Sequence, residues 1–63
     1  MPLFTFYPCL ANGSSTAFET FEEDGDDAAL ERATRVLADH LSAVEVVIWQ
    51  GERRVGAVAR VPA

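Results

Sequence analysis

Three places in the chain hold residue types that can do chemistry. Cys9 is the only cysteine, and an activated thiol needs a base or a positive environment beside it. Residues 1 to 27 contain no basic side chain, so Cys9 reads as an inert thiol. His40 is the only histidine. A general base needs a substrate group within hydrogen-bond reach and an orienting partner. Asp39 is adjacent in sequence and points elsewhere on a helix, so His40 reads as a side chain that favours a helix C-terminal dipole. The third place is "EEDGDD", residues 22–27. It lacks the alternating spacing of a calcium-binding loop and reads as a helix cap with a solvated turn. It also forms a negative pole suited to a basic partner.

One cysteine and one histidine exclude a disulfide within the chain and a Cys/His zinc set. No glycine-rich phosphate loop or catalytic triad is present, and no carboxylate pair sits on separate elements. The sequence therefore predicts no enzyme, no metal and no cofactor.

The elements that would position these residues follow from periodicity. "LFTFYPCL", residues 3–10, is rich in β-forming side chains. Asn12-Gly13 signals a two-residue hairpin turn of type I′, and "TAFETFE", residues 16–22, returns as a second strand. That turn pairs Phe4 with Phe21, Phe6 with Glu19 and Tyr7 with Phe18. Alternation puts Phe4, Phe6, Leu10, Ala17 and Phe21 on one face, with Leu3, Thr5, Tyr7, Cys9, Phe18 and Thr20 on the other. Ala29, Leu30, Ala33, Val36, Leu37 and Leu41 then recur at helical spacing. They predict a helix over Asp27–Ser42, capped by Asp26 or Asp27, with Glu31 and Arg35 paired on its exposed side.

"VVIWQGERRVGAVAR" closes the chain's pattern with a second hairpin, Val44–Trp49 and Arg54–Val61, turning at Gly51. Strict alternation groups Val44, Val46, Ile48, Val55, Ala57 and Ala59 on one face. It groups Glu45, Val47, Trp49, Arg54, Gly56, Val58 and Arg60 on the other. The fold class is α+β: a four-stranded antiparallel sheet in the order β-β-α-β-β, strands arranged 2-1-3-4, with the helix packed on one face. Residues 1–63 form a single domain.

One helix covers one sheet face. The other carries Tyr7, Phe18, Val47, Trp49 and Val58, with Arg54 and Arg60 at one side and Trp49 stacked on Arg54 as a cation–π pair. Contiguous apolar surface of this kind marks contact sites, and Tyr, Trp and Arg dominate interface hot spots. These seven residues are the expected partner-binding set. A chain of 63 residues buries only about 60% of its unfolded surface, so the face is expected to join a second copy or a different protein, and a homodimer is favoured because it would also support a thin core. The net charge is −5 with no lysine, which speaks against nucleic-acid and anionic-membrane binding. A nucleic-acid-linked regulator, stacking bases on the aromatic face, is the competing class. The apolar opening "MPLFTFYPCLA" has no basic residue ahead of it and is too short to span a bilayer. It reads as a strand, and with the lone thiol it points to the cytoplasm.

The segment "DDAALERA…LADHLSAVEVVIWQGERRVGAV" resembles a set of short bacterial proteins of unassigned function. They share an aspartate-capped, alanine-rich helix, a histidine near its end and a "VE-x-W-x-G-x-R-x-V" type of hairpin. The matching positions here are Asp26, Asp27, Ala28, Ala29, His40, Val44, Glu45, Trp49, Gly51, Arg53 and Val55. The resemblance implies a fold and a bacterial source, and no activity. "FETFEEDGDDAALERATRVLADHL" is also similar in rhythm to HicB-type antitoxin domains, which place two strands before an alanine- and leucine-rich helix. It departs from them in the loop before the helix and in having no DNA-binding appendage.

Overall fold

A computed structural model of the chain describes residues 1–15 and 17–60. Thr16 and Val61, expected at strand ends, lie outside the described residues. The chain runs β1 (Leu3–Cys9), β2 (Glu19–Glu22), α1 (Asp26–Asp39), β3 (Glu45–Gln50) and β4 (Arg53–Ala59). The sheet order is β2-β1-β3-β4 with every neighbouring pair antiparallel. The α+β class, the strand order and the single helix against the sheet agree with the sequence reading.

The core forms where the helical stripe meets one sheet face. Ala29, Ala33, Val36 and Leu37 of α1 bury against Phe4, Phe6, Val46 and Ile48, and Ala43 joins them from the loop before β3. Phe21 stands edge-on to Phe6, 5.7 Å between ring centroids. Alanines at two of the four buried helix positions let the helix backbone sit close to the sheet, so the phenylalanines fill the layer between them.

The first hairpin keeps its expected ladder, with Phe4 opposite Phe21 and Phe6 opposite Glu19. Its turn is different. A type I′ turn needs positive φ at both central residues, and Gly13 (φ 86) has it while Asn12 does not. The Gly13 amide donates to the Leu10 carbonyl at 2.9 Å, and the Leu10 amide to the Ser14 carbonyl at 2.8 Å. Asn12 Oδ1 accepts from the Ser14 amide and hydroxyl. The loop is thus longer by one residue, and the return segment absorbs the difference before β2 starts at Glu19.

The helix begins one residue earlier than expected, at Asp26, and ends short of its stripe. It stops at Asp39, with His40 as C-cap. A turn closed by the Ala43 amide on the His40 carbonyl then sends Ala43 into the core and leaves Leu41 86% exposed. At the other end the N-cap is Gly25, with no side-chain cap. Asp26 lies inside the first turn, where its charge suits the dipole. Its carboxylate accepts from both terminal nitrogens of Arg53, at 2.8 and 3.1 Å. Those hydrogen bonds hold the Asp26 carboxyl below its ordinary pKa and raise Arg53 above its own. A lowered carboxylate stabilises the fold above its unfolded pKa, and that contribution is lost as the pH falls through the folded one. Arg32 pairs with Glu23 at 2.9 Å; the expected Glu31–Arg35 pair is not among the ion pairs of the described residues.

The second hairpin carries the main correction. Gln50 faces Arg53 and Trp49 faces Arg54, but Ile48 faces Gly56. Val55 is an extra residue on β4, a β-bulge. One extra residue reverses every later side chain. Gly56, Val58 and Arg60 therefore belong to the helix side, and Ala57 and Ala59 to the open side. The expected grouping of Val58 and Arg60 with Trp49 is overturned by this bulge. The two-residue turn itself, Gly51-Glu52, has φ 60 at Gly51 alone, as a type II′ turn requires.

Candidate functional site

The face away from the helix is built in rows across the strands. Thr20, Thr5, Trp49 and Arg54 form one row. Phe18, Tyr7, Val47 and Ala57 form the next, with the Tyr7 and Phe18 rings 6.0 Å apart and tilted by 43°. Cys9, Glu45 and Ala59 form a third, and Leu3 with Glu22 a fourth at the opposite end. Leu3 is 54% exposed and Phe18 63%, while Tyr7, Val47 and Trp49 are half-buried. No described element covers this side.

Five of the seven residues expected to bind a partner share this face: Tyr7, Phe18, Val47, Trp49 and Arg54. Val58 instead packs beside the helix-side core. Arg60 turns to the helix end. Its Nη2 donates to the Leu37 carbonyl at 2.7 Å and the His40 carbonyl at 3.1 Å, and its Nε to the Ala43 carbonyl at 3.2 Å. The Leu37 and His40 carbonyls at the helix end also accept from the His40 and Ala43 amides, so Arg60 adds to the bonds that close the helix C-terminus. Ala57 enters the face in their place. Gly56 followed by Val58 could have signalled this, since glycine inside a strand marks bulges, and Val55 and Val58 cannot both face a core at period two.

The cation–π contact among the described residues is Arg32 over Phe21, 4.4 Å from the ring centroid. It lies on the helix side of β2, and the expected Trp49–Arg54 stack is not formed. Trp49 and Arg54 are cross-strand neighbours without stacking.

The other chemistry-bearing residues are engaged locally. Cys9 is buried, and its thiol donates to the Tyr7 carbonyl at 3.3 Å. His40 Nδ1 lies 2.7 Å from the Val36 carbonyl. A carbonyl only accepts, so Nδ1 carries the proton. Nε2 faces the Glu19 carboxylate at 3.8 Å. His40 also borders a cleft with Pro8, Leu10, Ala17, Leu41, Ser42 and Ala43; the Ser42 hydroxyl there is not among the hydrogen-bond partners of His40. Among the described residues no group of three or more His, Cys, Asp or Glu side chains could hold a metal ion. No described helix is long and apolar enough to cross a membrane.

No protein-family model, curated protein or solved structure matches this chain. A functional reading rests on the surface itself.

Proposed function

We propose that the chain is a non-enzymatic association module whose open sheet face is closed by a second copy. The observation that carries this is the pairing of one sheet face packed against the helix with one face that no described element covers. The bare face displays Leu3 and Phe18 beside Tyr7, Val47 and Trp49. Ala57 and Ala59 lie along its β4 side, and their small side chains permit close approach of another sheet. Sheets that stack this way sit about 10 Å apart with interleaved side chains. A second copy supplies the same rows in reverse, so each Phe18 has an aromatic or aliphatic row to enter.

The base-stacking alternative is disfavoured by the direction of Arg60. With that guanidinium held at the helix end, Arg54 is the arginine left on the face, against Glu22 and Glu45. Phosphate binding draws its affinity from several basic contacts.

Light scattering after size exclusion tests the proposal. The parent chain is expected to exceed its 6.9 kDa with rising concentration. Phe18→Ser, which alters an exposed ring, is expected to weaken self-association while leaving the melting transition of the monomer in place. A Phe18→Ser chain that associates as well as the parent contradicts the assignment of this face.

A further inference from the structure

We infer that the free edge of β4 is a second self-association site, at which two copies join antiparallel across Val58 into one continuous eight-stranded sheet. The hydrogen-bond phase of β4 sets the geometry. The Arg60 amide donates to the Val44 carbonyl at 2.9 Å, and Val58 opposite Val46 and Gly56 opposite Ile48 share that phase. In an antiparallel pair, alternate residues turn their N–H and C=O groups away from the partner strand. Ala57 and Ala59 therefore direct theirs to the outer side of β4. Both are exposed, and β4 is an edge strand of the sheet.

Edge strands are normally guarded by charge, brevity or a bulge. β2, the opposite edge, has four residues, begins and ends in glutamate, and lies beside the Arg32–Glu23 pair. On β4 the guards are Arg53, Arg54 and the Val55 bulge, all at its start. From Gly56 to Ala59 there is none.

The occupant that fits is a second copy of this strand. A two-fold axis at Val58 sets Ala57 opposite Ala59 of the other copy, and the reverse, so every outward group of these residues is used reciprocally. The same register sets Arg60 opposite Gly56 of the other copy, the residue with no side chain, so no like charges meet. The helix lies alongside this edge. Asp26 reaches Arg53, the Leu30 side chain lies over Gly56, and the Leu37 carbonyl meets Arg60, so α1 runs beside β4. At 3.6 residues per turn, Leu30, Thr34 and Ala38 then flank the free edge. Asp27 and Glu31 share this side of the helix, seven positions before Thr34 and Ala38, while Arg32 points to Phe21. Thr34 Oγ1 contacts the Leu30 carbonyl, at 3.4 Å. Val58, half-buried now, would be covered by its counterpart. This axis is perpendicular to the sheet, while face-to-face closure needs an axis within it. The two contacts use separate surfaces of the chain, and a closed tetramer of two stacked eight-stranded sheets would follow if their axes intersect.

Disulfide trapping tests the edge separately from the face. Opposed residues of a non-hydrogen-bonded pair have Cα atoms about 4.5 Å apart, within reach of a disulfide. Val58→Cys in a Cys9→Ala background is expected to cross-link on mild oxidation. Its rate should exceed that of Glu52→Cys, an exposed turn residue that reports chance collision, by about tenfold or more through proximity. The cross-link should persist when Phe18→Ser is added, since that change disables the open face alone. A Val58→Cys rate equal to that of Glu52→Cys overturns the proposal, as does a cross-link lost with Phe18→Ser. Circular dichroism of each variant before oxidation confirms that a folded chain is being read, and Ile48→Val, which trims the core without touching the edge, must leave the trapping intact if it is specific.

Discussion

Arg60 reaches back across the domain to the end of α1. Its guanidinium donors meet the carbonyls of Leu37, His40 and Ala43, which join the helix end, the following turn and the end of β4 at one point. Arginine suits this role because its donors form a fixed planar fork. Arg60→Met keeps much of the aliphatic stem and removes the donors. It is expected to cost about 0.5–1.5 kcal/mol, the net range for a hydrogen bond, because the Leu37 and His40 carbonyls keep the His40 and Ala43 amides as partners; the loss is read as a lower urea midpoint at unchanged slope. Arg60→Lys should recover less than half of the loss, since one ammonium cannot span three carbonyls. A midpoint unaffected by Arg60→Met would mean that water serves those carbonyls equally well. None of this was legible from residue type. The sequence reading sets Arg60 among the partner-binding residues because arginine favours interfaces, and a side chain's face depends on the parity of its strand.

At the scale of elements, parity is what the Val55 bulge changes. β1, α1 and β3 were readable because their patterns are unbroken: alternating phenylalanines in Leu3–Cys9, an alanine and leucine stripe in α1, and the continuous apolar run Val46–Trp49 in β3; β2 starts only at Glu19, later than its pattern suggests. The helix ends were less readable. Leu41 continues the stripe, but the turn at His40–Ala43 removes it from the core. "RRVGAVAR" reads as a regular strand only if Gly56 is ignored. A Cβ built on Gly56 would meet Leu30 Cδ2 at 3.7 Å, ordinary contact distance, and its φ is not in the left-handed region. Gly56→Ala is therefore expected to stabilise the domain by about 0.4–1 kcal/mol, through lower unfolded-state entropy and an added contact with Leu30. A thermal melt checks this. A lowered melting temperature would show that the strand needs the freedom of glycine to follow the bulge. Five of the seven expected contact residues stayed on the open face because they precede the bulge or lie outside β4. The two that moved follow it.

At the scale of the whole molecule, one helix and one sheet form a two-layer domain with a thin core. Its large fully buried side chains are Phe4, Phe6, Ile48 and Val46. A domain this small gains little from its own interior, and its second apolar layer lies unpaired on the other side of the sheet. Self-association would turn that layer into core and would cover Leu3, Phe18 and Trp49 in three of its rows. The β4 edge would extend the same sheet sideways, so both surfaces serve one end.

The chain contains a single tryptophan, and it stands on the open face. Trp49 emission followed during serial dilution therefore reports the central claim directly. Edge pairing alone would leave it largely unchanged. If the face is closed by a second copy, the emission maximum moves to longer wavelength as the chain is diluted, in step with the fall in mass toward 6.9 kDa. An emission maximum that stays constant across that range contradicts the account, because the open face would then keep the same surroundings in every state of the protein.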